Sequence, residues 1–448
     1  MRITFKHAAK QAVVALAIGA ALSPAVQAQD KTVVTFARFF GACEADFGNV
    51  TDVSKSAGEC GIITALTNKF NAENKLNAVV KTQVIEWGPY YDQLGARIVA
   101  KDIPTIAVMH EAVLGDFVKR NLVEPLDAGF KEVGLDTADF TPHGKRGVTF
   151  DGKTYALPFD THSWLWHFNM NLMKKAGLAN ADGSPMVPKN PDELMAHAKK
   201  FKAATGKPYF GWVVANETAA YTRTFLTLLY QQGGTVFPKG EREIDLHSKE
   251  ARNALELMNK LYSNGDVIPN VDYGAANQAF VNGDAGVMVN GTWLIGDMIT
   301  QSEKAGAALE KGYAVIPFAN LYAKKATWAD GHSWIMLKGG AKDDKTRKAA
   351  YAFMKFLYDN DFEWARTGHL PTRSSVINSP AFTGLPFRGS IGTIAQSGIS
   401  LAPTVPRQFR INEMLGEAIS TILISKKPID EATKAAEERI NKMLASAK

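Results

Sequence analysis

Through the first 120 residues, short apolar blocks alternate with stretches in which apolar positions recur every three or four residues. Val33–Ala37 is a β-branched run suited to a buried strand. Ile62, Ile63, Leu66 and Phe70 then recur at helical spacing, up to an Asn71–Asn74 stop. Val79–Ile85 reads as a second strand and Tyr91–Ala100, with Leu94 and Ile98, as a second helix. Thr105–Met109 reads as a third strand and Val113–Arg120 as a third helix. This alternation predicts an α/β fold with a parallel sheet and helices on its faces. Ligands of such sheets sit at the carboxyl ends of the strands.

The middle of the chain changes character. An Asp151-Gly152-Lys153 turn precedes Thr154–Asn169, which is rich in β-branched and aromatic residues. Trp164, Trp166 and Phe168 share one face there by period two and read mostly as core. Helices are predicted at Asp192–Phe201 and Phe225–Tyr230, and a strand at Tyr209–Val214. Two more helices, Asn412–Ser425 and Asp430–Ala447, end the chain, the second with Ala432, Ala436, Ile440 and Leu444 on one face. Seven of the eight tryptophans follow residue 160, an asymmetry that suggests two lobes with different surfaces.

A chain of 448 residues, 46% hydrophobic and 21% charged, is an ordinary folded protein long enough for two or three domains. Its net charge of +6 is inflated by the N-terminus. Arg2, Lys6 and Lys10 come without an acid, an apolar run follows from Ala12 to Leu22, and Val26-Gln27-Ala28 supplies small residues for a cut. Residues 1–28 are therefore expected to be a secretory signal peptide. The apolar run is about half of the ~20 residues a membrane span needs. With those three basic residues removed the balance is +3, and no dense Lys/Arg run remains, which argues against nucleic acid as a partner.

Export gives the two cysteines a meaning. Cys43 and Cys60 form an even pair and are expected to be disulfide-bonded. A lipid anchor on Cys43 would need an apolar stretch directly before it, and Asp30, Lys31 and Arg38 intervene. A diffusible protein of a Gram-negative periplasm is the expected localisation.

Five stretches point the same way. They are Lys101-Asp102-Ile103-Pro104-Thr105; Asp151 to Pro158 followed by Asn169 to Leu178; Gln231-Gln232-Gly233-Gly234; Phe280 to Met288 leading to Asn290-Gly291-Thr292-Trp293; and Thr367 to Arg373. Together, and in this order, they resemble the extracellular solute-binding proteins of sugar-type ABC importers (family 1, maltose-binding-like). The resemblance covers essentially the whole chain after the signal. It implies a type II periplasmic binding protein: two α/β lobes, a hinge of crossing strands and an interlobe ligand cleft that closes on its ligand. On that basis residues 29–160 and 330–385 are expected to build lobe 1, and residues 161–329 and 386–448 lobe 2. The implied partners are a sugar and the membrane permease with its cytoplasmic ATPase; the implied protein is a monomer, needs no cofactor and performs no catalysis. The chain departs from maltodextrin binders in the long Gly41–Gly61 stretch, in Met109, and in Ala112 and Val113 where a charged pair is expected. A disaccharide or small oligosaccharide is therefore favoured over a long dextrin.

A sugar site needs aromatic faces for C–H surfaces and planar polar groups for hydroxyls. Trp293 takes the family's stacking position. Phe39 and Phe40 follow the first strand, and His110 and Glu111 the third, at the carboxyl edge. Glu44 and Asp46 lie in the cysteine-bearing loop, Asp160 and His162 at the first crossing, and Asp330, Gly331, His332 and Trp334 at the second. Tyr221 and Arg223 open an apolar helix, and Arg407 precedes the last helices. The substrate-binding set is thus Phe40, Glu44, His110, Glu111, Asp160, Tyr221, Arg223, Trp293, His332 and Arg407. Each has a structural alternative: core packing for the aromatics, a solvated loop for Glu44, a His–Glu pair for His110 and Glu111, a hinge tie for Asp160 and plain surface charge for Arg407.

Other chemistries fit less well. His110-Glu111 begins a zinc-protease motif, but position 114 is leucine. The nine histidines offer no tight ligand spacing beyond His162 and His167, so no metal site is expected. Tyr90-Tyr91 resembles the paired tyrosines of ferric-ion binders, yet the pair opens a helix. Arg38, Arg223 and Arg407 leave a phosphorylated polyol open, and Glu44, Glu111 and Asp160 a polyamine. A secreted glycoside hydrolase would need two carboxylates flanking a bond, which 45 acids can always supply.

Overall fold

In the computed structural model the described residues are 30–212, 215 and 218–447; the expected signal peptide lies outside them. The first half of the sheet follows the hydrophobic blocks. Strands β1 (Thr32–Arg38), β2 (Ala78–Val84) and β3 (Ile106–His110) pair in parallel in the order β2-β1-β3. The intervening helices Gly58–Glu73 and Tyr90–Val99 carry the predicted apolar stripes, with Ile62, Ile63, Leu66, Phe70 and Leu94 buried.

The small hairpin of β4 (Thr149–Phe150) and β5 (Lys153–Thr154) turns on Asp151 and Gly152, at φ 49° and 73°. Two consecutive left-handed residues are what a tight primed turn requires. Then β6 (Leu157–Asn169) runs for 13 residues, every one buried. It pairs with the later strands β8 (Val287–Gly291), β9 (Tyr313–Pro317), β10 (Ala329–Met336) and β11 (Leu370–Pro371), all antiparallel. β7 (Phe210–Gly211), shorter than the predicted Tyr209–Val214, pairs in parallel with β8. The sheet is thus mixed, in the order β2-β1-β3-β10-β6-β8-β7.

β6 passes between two apolar cores. Leu157 and Phe159 lie in the first, with β1–β3, the helix Asp344–Asp359, Trp334 and Trp364. Trp164, Trp166 and Phe168 lie in the second, with the helices Ala219–Gln231, Lys249–Ser263, Gln408–Leu423 and Ile429–Ser446. Ala432, Ala436, Ile440 and Leu444 form the buried stripe of the last helix. A third cluster joins Phe280, Met288 and Ile295 to residues between Ala365 and Ala395. The polar stretch of β6 between the cores, Asp160–Ser163, is where charged side chains collect.

Candidate functional site

Strand register sets the geometry. Across three neighbouring strands His110 of β3 faces His332 of β10, which faces Asp160 of β6; one step along, Asp330 faces His162. On the far side of β6, Pro371 of β11 pairs with Asp160, which brings His369 to the same place. The imidazole centroids of His110 and His332 are 4.7 Å apart, and those of His162 and His332 4.4 Å. Asp160 is fully buried and is the hub of this cluster. Its oxygens lie 3.1 Å from Nδ1 of His162 and 2.8 Å from Nδ1 of His332, and accept the Trp364 indole N–H at 2.8 Å. Burial opposes its ionisation, but His332, His369 and His162 outweigh that and hold the carboxyl well below its usual range. Burial, reinforced by the neighbouring histidines, holds His110 and His162 well below theirs.

Next to this cluster, and sharing His110 and Asp330 with it, lies a cavity of about 240 Å³ at the carboxyl end of β3. Trp87, Trp328 and Phe409 supply aromatic surface; His110, Arg223, Asp330, Asn412 and Glu413 supply polar groups. The walls come from both cores: Trp87 precedes the helix Tyr90–Val99, whereas Arg223 and Asn412 belong to helices of the second core. Those two helices are tied by the Thr222 hydroxyl, which donates to the Asn412 carbonyl at 2.6 Å. His110 is fixed from two sides. Tyr91 Oη accepts its backbone N–H at 2.9 Å and meets its Nδ1 at 2.6 Å, and the Phe39 ring stacks on it at 5.2 Å. The Arg223 guanidinium lies 4.7 Å from the Trp328 ring, 5.2 Å from Trp293 and 5.4 Å from Trp164. The side-chain oxygen of Asn412 is buried without a hydrogen-bond partner among the described residues. A buried acceptor left without a partner costs stability.

The ten expected residues distribute unevenly. His110 and Arg223 line the cavity. Asp160 and His332 do not line it; His332 packs against the lining residue His110 at 4.7 Å, and Trp293 lies beside Arg223 with its indole N–H donating to Tyr273 Oη at 2.7 Å. Glu111 is buried beneath, with its Oε2 3.6 Å from His143 Nε2. It fits because Gly147 and Gly331 leave room: a Cβ would come within 1.9 Å of its carboxylate at the first and 2.7 Å at the second. Burial first, then Asp330 and Asp160, push its carboxyl well above the ordinary range. Burial also pushes Asp330 up, to about 6.

The other four lie elsewhere. Phe40 packs in the first core against Trp364, and Tyr221 is buried in the second. Glu44 is exposed on the short helix Glu44–Phe47. Arg407 is exposed, with a left-handed φ of 54° and its backbone N–H on Asp116. Apolar contact drew the two aromatic rings into cores, and nothing folds the two charged side chains toward the cavity. Trp87, Trp328, Phe409 and Asn412 were not anticipated; a tryptophan two residues before a proline-initiated helix was the available signal for the first.

Cys43 and Cys60 are bonded, with Cα atoms 6.1 Å apart. The bond pins the start of the helix Gly58–Glu73, where Glu59 Oε1 meets His369 Nε2 at 2.7 Å. The cysteine loop thus touches the Asp160–histidine cluster through Glu59 and not through Glu44.

Two apolar cores joined by crossing strands, with a polar and aromatic cavity between them, define a two-lobe binding protein. Residues 65–386 match the model of the bacterial extracellular solute-binding proteins, and the chain belongs to that family. It is 24% identical over 415 residues to a candidate binding protein of Brucella abortus (strain 2308), covering 90% of this chain and 95% of that one. It is 24% identical over 335 residues to the maltotriose-binding protein of Pyrococcus abyssi, covering 73% and 67%. Its fold matches the GacH receptor of Streptomyces glaucescens, solved unliganded and with acarbose, at a TM-score of 0.75 and 20% identity over 93% of this chain and 100% of that one. These relatives are binding proteins. No helix among the described residues is long and apolar enough to cross a membrane.

Proposed function

We propose that this protein is the periplasmic sugar receptor of an ABC importer. It captures a mono- to small oligosaccharide between its lobes and hands it, unaltered, to the membrane permease. The cavity carries this reading: aromatic rings and planar hydrogen-bonding groups converge on one space of about 240 Å³. That is below the roughly 300–1,000 Å³ of sites for drug-sized ligands, which favours a small sugar over a dextrin. The maltotriose-binding and acarbose-binding relatives support the ligand class. Residues 29–160 with 330–385 form one lobe in this reading, and residues 161–329 with 386–448 the other; Arg373 and Ser375 hydrogen-bond Asp139 of the first. The signal peptide at residues 1–28 delivers the chain to the periplasm, where it acts as a monomer.

Trp87 and Trp328 on the cavity wall make tryptophan fluorescence the natural readout. The oxidised protein is titrated with mono-, di- and trisaccharides, glycerol phosphate, a polyamine and ferric ion. Saturable binding of a sugar, recovered intact by chromatography, is the expected result. Binding of only phosphate, amine or iron refutes the sugar assignment, and a cleaved sugar refutes the receptor role.

A further inference from the structure

We infer that Asp160, His162, His332 and His369 form a zinc site next to the cavity, behind His110. The four side chains are buried and offer ligand atoms that all lie within 4.8 Å of one another. They are 209 residues apart at the extremes and are gathered only by the register of β6, β10 and β11. Nδ1 of His162, His332 and His369 stands 3.1, 2.8 and 3.6 Å from the Asp160 carboxylate oxygens. A zinc tetrahedron with bonds of about 2.0–2.1 Å has edges of roughly 3.4 Å, so these separations bracket the edge. The widest separation, at most 4.8 Å, has to close by up to about 1.4 Å when the ion binds.

Two further observations point to a cation. His369 turns Nε2 to Glu59 at 2.7 Å, and its buried Nδ1 has no hydrogen-bond partner among the described residues. That is the carboxylate–histidine arrangement that fixes a ligating tautomer, with the free nitrogen facing the metal. Asp160 is likewise oriented from outside the set, by the Trp364 indole N–H. Hydrogen bonding alone satisfies His162 and His332, which can each donate Nδ1–H to Asp160; it leaves His369 facing the carboxylate with a bare nitrogen or an added proton. Three imidazoles and one carboxylate suit zinc, and four protein ligands close the shell, so the ion is structural. It would clamp the crossing strands beside His110 of the ligand cavity.

The test uses the full mature chain without a histidine tag, stripped with chelator and loaded with zinc or cobalt(II) chloride. The expected result is about one ion per chain surviving gel filtration, a higher Tm, and the visible absorption of four-coordinate cobalt. The double variant His332→Ala/His369→Ala loses the ion, whereas His247→Ala, at an exposed histidine, retains it. No retained ion in the wild type, a six-coordinate cobalt spectrum, or an ion that survives the double variant overturns the proposal. If the double variant does not fold, wild-type stoichiometry and the cobalt spectrum decide. Sugar titrations of stripped and loaded protein keep this proposal separate from the receptor reading, since either can fail alone.

Discussion

Arg223 is the residue where holding the fold and holding the ligand can be told apart. Its guanidinium sits among three tryptophan rings at 4.7–5.4 Å and on the cavity wall. A partly desolvated cation over aromatic faces contributes on the order of 2 kcal/mol. Arg223→Met keeps the stem and removes the charge and all five donors. Spread over an unfolding entropy of about 0.9 kcal/mol/K for a chain of this size, the lost packing lowers Tm by about 2 °C. A charge-assisted hydrogen bond to a sugar hydroxyl is worth roughly 1.5–3 kcal/mol, so Kd should rise about 10- to 150-fold. Arg223→Lys keeps the charge but not the planar fork, and should fall between. Calorimetric titration with the sugar identified in the panel measures Kd, and differential scanning calorimetry measures Tm. An Arg223→Met protein whose Tm drops while Kd stays within threefold of wild type would refute the ligand role and leave Arg223 as packing.

Three other perturbations test the surrounding structure. Cys43→Ser/Cys60→Ser opens a loop closed across a sequence separation of 17, which the chain-entropy estimate puts at about 3 kcal/mol, or about 3 °C in Tm; an unchanged Tm would mean the loop is held by its other contacts. Burial holds His167 down at about 3, so its neutral form favours folding above pH 6.5, and that contribution, about 5 kcal/mol in full, is lost as pH falls from 6.5 to 3. His167→Gln should therefore flatten the fall of Tm with acid relative to wild type, and parallel curves between pH 7 and 4 would contradict the assignment. Gly331→Ala would place a Cβ 2.6 Å from the Asp160 carbonyl, forcing β10 off β6 at the site; a loss of roughly 1–3 kcal/mol together with weakened sugar binding is expected, and wild-type values for both would show that the strands can spread without cost.

What could be read from the chain follows how local the physics is. β1–β3 and their helices were legible because each is specified by its own period, and Thr154–Asn169 because β-branched and aromatic residues flank its polar Asp160–Ser163 stretch. The antiparallel placement of β10 between β3 and β6 was not legible, since pairing across more than 150 residues leaves no mark on spacing. The site shows the same division. His110 was found because a strand end followed by a helix start is a local pattern, and Arg223 because it lies near such a start. Phe40 and Tyr221 share that kind of position but turn into cores, a choice made by the partners each ring meets. The histidine cluster lay furthest beyond reach. His162 and His167 looked like the only close pair, yet His167 goes to Tyr313 at 2.8 Å on the other side of the strand, an odd step from His162. His332 and His369 arrive from distant strands whose register with Asp160 exists only in the folded sheet. Sequence spacing is therefore a weak argument against a metal site in a protein of crossing strands: the relevant spacing is two alternate residues on β6, one on β10 and one just before β11, and it is the sheet that counts it.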